Sequence, residues 1–127
     1  MKGILPSATT APRIARKIAN AALSANADGR AQPVSADFRG DVALVVSELV
    51  TNALIHARGP IEFEVTVDDD VIELRVSDHT ADLPKITFAN GDQIGGAGLR
   101  IVDRLARYWG VEQRADGKVV WCQLSMR

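Results

Sequence analysis

The stretch "ELVTNALIH", residues 48–56, decides how this chain folds and what it does. Three polar residues, Glu48, Asn52 and His56, recur every fourth position in an otherwise apolar run. Residues four apart stack on one side of an α-helix, so the three form a slowly drifting line. Around them Val42, Val45, Val46, Leu49, Val50 and Ala53 make a broad apolar arc, which Leu44, Leu54 and Ile55 widen until little of the helix faces water. A carboxylate, an amide and an imidazole on such a helix are costly unless they meet internal partners or a wet cavity. Taken singly, each has an ordinary structural reading: His56 at the helix end, Glu48 paired with an arginine. Taken together, they point to a cavity.

Working outward, the helix starts near Ser35 or Asp37, either of which can cap it. It runs to about Ala57 and stops at Arg58-Gly59-Pro60. Before it, Pro12 fits the first turn of a helix through "RIARKIANAALSA", because its missing N–H costs nothing there. "NADGRAQPVS", residues 26–35, reads as a loop, and residues 3–7 can form a short extended segment. After residue 60 the period changes to two. Ile61, Phe63, Val65 and Val67 alternate with Glu62, Glu64, Thr66 and Asp68, and Asp68 to Asp70 make a turn. "VIELRVSD" returns with Ile72, Leu74 and Val76 inward. Asp78 shares that parity, so its carboxylate points toward the core side and needs a donor, either a backbone N–H or a ligand group such as an exocyclic amine.

Residues 80–96, "TADLPKITFANGDQIGG", show no period and read as a long loop of the functional kind. "GGAGLRIV", residues 95–102, then opens a helix. Glycines leading into a helix leave free N–H groups at a positive dipole end, which suits phosphates. Leu99, Val102, Leu105 and Ala106 form its core stripe, and it is expected to end near Gly110. A hairpin closes the chain, with Asp116-Gly117 as its two-residue turn. Strands arriving as hairpins, with helices between them, predict an α+β two-layer sandwich: a largely antiparallel sheet with helices on one face.

Composition narrows the class. The 127 residues suit a single domain, 1–127, with a core that needs no metal or disulfide. The net charge is -1 and no basic run is present, which argues against direct nucleic-acid binding. One cysteine, Cys122, fits a reducing compartment. No long apolar stretch indicates a signal peptide or a membrane span, so a cytoplasmic location is expected.

In order, "ELVTNALIH", "VSD" and "GGAGLRIV" resemble the ATP-binding boxes of the gyrase, heat-shock chaperone, histidine kinase and mismatch-repair ATPase (GHKL) superfamily. The likeness runs from about Pro12 to Leu124 and is nearest to the small bacterial anti-sigma regulatory factors, stand-alone protein-serine kinases. The resemblance implies a Bergerat-type sandwich with a mixed, mostly antiparallel sheet, and ATP with Mg²⁺ as cofactors. It implies that Asn52 holds the metal, that Glu48 is the catalytic base for an incoming serine hydroxyl, and that Asp78 accepts the adenine amino group. Gly96, Gly98 and Leu99 fall at nucleotide-binding positions, with the two glycines as hinge and N–H donors, and residues 80–96 match the ATP lid. His56 falls to a supporting place at the helix end.

The implied partners are a sigma factor and a STAS-type anti-sigma antagonist, and relatives that form homodimers make a second copy a candidate partner by analogy alone. One box departs from the family pattern. Where the superfamily reads Asp-x-Gly-x-Gly, this chain reads "DHTAD", with Thr80 and Asp82 at the glycine positions. A side chain there narrows the approach to the base, and Asp82 adds negative charge near a triphosphate. The departure supports an alternative: a non-catalytic module that holds sigma factor or antagonist through the same fold, with a degenerate nucleotide site. The sensor-kinase ATPase domain is a weaker match, because no dimerisation helix with a phosphoacceptor histidine precedes residue 12.

Overall fold

The structure, a computed structural model, describes residues 1–25, 33–56, 59–80 and 96–126, with residues 96–98 described by backbone alone. Its elements run β1 (Lys2–Leu5), α1 (Ala11–Ala25), α2 (Ala36–His56), β2 (Ile61–Asp68), β3 (Val71–Asp78), α3 (Gly96–Leu105), β4 (Tyr108–Arg114) and β5 (Gly117–Ser125). Five strands form one sheet in the order β1-β2-β3-β5-β4, and all four pairings are antiparallel. The three helices pack on one face, giving the α+β two-layer fold that the alternation of periods predicts. No helix among the described residues is long and apolar enough to cross a membrane.

The register explains the core. Phe63 sits opposite Val76, Val65 opposite Leu74, Leu74 opposite Cys122, and Ile72 opposite Leu124, so one cross-strand row after another turns its apolar side to the helices. Phe63, Ile72, Leu74 and Cys122 are wholly buried. From the helices, Ala15, Ala19 and Leu23 of α1, six residues of α2 and both Leu99 and Val102 of α3 close the core. Each large apolar side chain buried here stabilises the fold by about 1.5–3 kcal/mol. The small alanines of α1 let that helix lie close to the sheet.

Local chemistry sets the element ends. Ser35 caps α2: its Oγ accepts the N–H of Phe38 at 3.1 Å, three residues in. At the β2–β3 turn Asp69 adopts φ 48°, a left-handed conformation that aspartate tolerates better than most residues.

Four expectations need correction. The opening strand covers Lys2–Leu5, where Lys2 to Leu5 pair with Glu64 to Ile61. Leu44 and Ile55 do not extend the buried arc of α2; they are 44% and 69% exposed, because the neighbours of α2 occupy its other sides. Helix α3 stops at Leu105, five residues before Gly110. No helix breaker stands there; the aromatic pair Tyr108-Trp109 is drawn into the sheet by the free edge of β5, with Tyr108 opposite Gln123 and Trp109 opposite Cys122. The final turn is Ala115-Asp116, since Arg114 pairs with Gly117. Gly117 opens β5 because it has no room for a side chain: a Cβ there would stand 1.9 Å from the carbonyl oxygen of Asp78. The expected loop at 26–32, Ala57-Arg58 and the lid residues 81–95, including Asp82 and Gly95, lie outside the described residues.

Candidate nucleotide site

Helix α2 is the scaffold of the site, packing against α1, α3 and β3. Its inner side is sealed by Val42, Val45, Val46, Leu49, Val50 and Ala53. Glu48 and Asn52 stand beside that seal and are half-buried, while His56, the last helical residue, is exposed. Among the described residues, the side chains of Glu48, Asn52 and His56 have no hydrogen-bond or ion-pair partner. A half-buried amide and carboxylate left in that state are ready to meet a ligand or its water. The imidazole at the helix C-terminus is favourably placed for the dipole.

At the neighbouring element, α3 begins at Gly96, so the first turn contains Gly96, Gly98 and Leu99. The first four N–H groups of any helix lack partners within it, and those of α3 come from these residues and Ala97. The Leu99 side chain is buried in the core, so what it can offer an anion is its backbone N–H. The absence of a Cβ at 96 and 98 is compatible with close approach of a phosphate.

Asp78 ends β3 with its side chain inward, as parity requires, and is 6% exposed. Its partners are protein groups. Thr80 donates its backbone N–H to Oδ1 at 2.7 Å, and the ammonium of Lys118 lies 3.0 Å from Oδ2 and 3.2 Å from Oδ1. Lys118 is itself 4% exposed. Sequence reasoning had missed this residue. The signal was present: Lys118 shares the strand parity of Val120, Cys122 and Leu124, and an inward lysine demands a buried anion. Register settles which one, since Lys118 is the cross-strand partner of Asp78. A carboxylate has about four lone-pair positions; groups among the described residues engage three, leaving one on Oδ2.

Thr80, at a position where the resemblance expects glycine, is buried. Nearby, Gly59 turns with φ 74° and approaches the ring of His79 so closely that a Cβ would lie 3.1 Å from it. Among the described residues no group of three or more His, Cys, Asp or Glu side chains could hold a metal ion. A hard cation that keeps its own waters and takes phosphate oxygens needs only one protein oxygen, which the Asn52 amide can supply. The Asn52 amide and the first turn of α3 thus offer a donor set that would suit ATP with Mg²⁺, whereas Asp78 already carries an internal ion pair.

Comparison with known proteins follows the same outline. Residues 8–124 match the family model of the histidine kinase-like ATPase domain. Among solved structures, the histidine kinase domain of the Erythrobacter litoralis EL346 blue-light activated histidine kinase superposes with a TM-score of 0.58 at 22% identity, over 89% of this chain and 63% of that one. A longer structure of the same kinase gives 0.59 at 24% identity, over 90% of this chain and 40% of that one. The Acinetobacter baumannii histidine kinase AdeS gives 0.57 at 17%, over all of this chain and 68% of that one. At these identities the likeness establishes the fold, and the chain spans less than two thirds of the length of the first two. No curated protein matches the chain in sequence.

Proposed function

The chain belongs to the histidine kinase-like ATPase domain family, and from that premise we propose that it binds ATP with Mg²⁺ and transfers phosphate to a serine of a partner protein. The observation that carries this reading is the half-buried line of Glu48 and Asn52, without protein partners among the described residues, on a helix that packs against α3, whose first turn is glycine-led. Phosphoryl transfer needs positioning, a metal and charge stabilisation more than covalent help from the protein. Bound ATP–Mg²⁺ supplies an electrophilic phosphorus and a diphosphate leaving group. Asn52 would hold the metal through its amide oxygen, the N–H groups of Gly96, Gly98 and Leu99 would take phosphate charge, and Glu48 would accept the proton of the serine hydroxyl as its oxygen bonds the γ-phosphorus and the bond to the diphosphate breaks. Asp78 receives the adenine amino group on its remaining lone pair.

The partner classes belong to the same proposal: a sigma factor held by the protein, and a STAS-type antagonist whose serine is the acceptor, with a second copy of the chain as a further candidate partner. Support for these comes from the resemblance of "ELVTNALIH", "VSD" and "GGAGLRIV". A second reading, a non-catalytic module holding the same partners, draws on one specific observation. Lys118 and the Thr80 N–H already occupy most of Asp78, and the buried Thr80 stands where close approach to a base needs glycine. Titration of the protein with ATP and Mg²⁺ in a calorimeter separates them. The kinase reading expects metal-dependent binding in the low-to-mid micromolar range, about -7 to -8 kcal/mol, followed by phosphate on an antagonist serine. No heat at millimolar ATP removes it. Binding without transfer leaves the non-catalytic module.

A further inference from the structure

Away from the nucleotide site, α1 and α2 flank a trough of about 240 Å³ whose charged lining residues are all cationic: Arg13, Arg16 and Lys17 on α1 and Arg39 on α2. Its floor is apolar, formed by Ala19, Leu23 and Val42. None of the four cations has an ion pair among the described residues. Helix α1 contains no acidic residue at all. The nearest acids along α2, Asp37 and Asp41, each stand two residues from Arg39, about 200° around the helix, and so face the other way.

The two inner arginines are held by neutral acceptors. Arg16 donates to the Ser47 hydroxyl at 2.8 Å, and Arg39 donates to the Asn20 side chain and to Ser24 Oγ at 3.3 Å. Their rotamers are thus ordered, while among the described residues no acidic side chain pairs with them. Stability does not explain the cluster either. Arg13 lies in the first turn of α1, beside the positive end of the helix dipole, and Arg13 repels both Arg16 and Lys17 at spacings of three and four.

We propose that this trough is the docking site for an acidic, amphipathic helical segment of a partner protein. Positions 13, 16 and 17 spread three cations along about 6 Å of α1, with Arg39 across the trough on α2, a spacing matched to carboxylates on successive turns of a partner helix. The apolar floor takes the aliphatic side chains between them. A nucleic acid fits less well, because the lining holds no aromatic residue on which a base could stack, and the chain as a whole is slightly anionic. This inference does not rest on nucleotide binding at the other site.

The test is fluorescence anisotropy with a labelled synthetic helical peptide bearing glutamates on one face and leucines on the adjoining face. A scrambled peptide of the same composition, inorganic tripolyphosphate and an oligothymidylate serve as competitors. The expected result is saturable binding to the helical peptide that weakens as salt rises and exceeds binding of the scrambled one. Arg13→Gln/Lys17→Gln, which removes no hydrogen bond among the described residues, should weaken it about tenfold, roughly threefold per charge. NMR amide shifts should map to α1 and the first half of α2. Equal binding of scrambled and helical peptides, displacement by tripolyphosphate or oligothymidylate alone, shifts elsewhere, or undiminished binding by the double variant would each overturn the proposal. Glu48→Gln should leave the peptide affinity unchanged, which separates this result from failure of the nucleotide reading.

Discussion

The ammonium of Lys118 lies 3.0 Å from a carboxylate oxygen of Asp78, at the point where β3 and β5 run side by side and almost no solvent reaches either group. The pair satisfies an inward carboxylate that the fold requires, and it does so with a group from the same sheet.

Breaking it from one side should be severe. Lys118→Met leaves Asp78 buried with only the Thr80 N–H, and loss of one partner of a buried pair costs about 3–5 kcal/mol. Urea denaturation should show that loss. Asp78→Asn combined with Lys118→Met should restore much of it, since the uncompensated charge is gone; a double variant no more stable than the single one would show that the pair does more than neutralise a charge.

Glu48→Gln and Asn52→Ala should leave stability within about 0.5 kcal/mol of the parent, because neither side chain has a partner among the described residues. Their effect should fall on ligand chemistry. Asn52→Ala should remove the magnesium dependence of ATP binding, and Glu48→Gln should abolish transfer while ATP still binds. If Asn52→Ala leaves the magnesium dependence intact, the metal is held elsewhere.

Burial pushes the Cys122 thiol up to about 12, with a smaller contribution from the Glu73 carboxylate. Below the ordinary thiol value of 9.0 both folded and unfolded chains keep the proton, and the stability linked to it is complete. As pH rises from there toward 12 the unfolded chain ionises first, so stability falls. Native protein should resist iodoacetamide at pH 8 and react only when unfolded. Thermal scans of Cys122→Ala should lose part of the alkaline decline; an identical decline would assign it to other groups.

Arg13→Gln should raise stability by about 0.5 kcal/mol, because it removes a cation from the positive end of α1 and two like-charge neighbours. Denaturation at low and high salt checks this, and the gain should shrink as salt screens the charges. A loss of stability would mean that Arg13 has a structural role absent from its contacts.

Much of this protein could be read from order alone, because periodicity is a local property. The alternation in 61–68 and 71–78 yields β2 and β3 to the residue, and the fourfold spacing of Glu48, Asn52 and His56 puts them on one helical line wherever that helix lies. The inward aim of Asp78 follows from parity in the same way. What three dimensions alone decided are matters of who stands beside whom. The end of α3 gave way to β4 because a distant strand offered an edge. Gly117 left the turn because the carbonyl of Asp78 occupies the space of its side chain. Lys118 met Asp78 through strand register across forty residues, and four cations on two helices came to rim one trough. Local pattern sets conformation and facing; the identity of a neighbour depends on packing between segments remote in the chain, and the chemistry of both candidate sites turns on that identity.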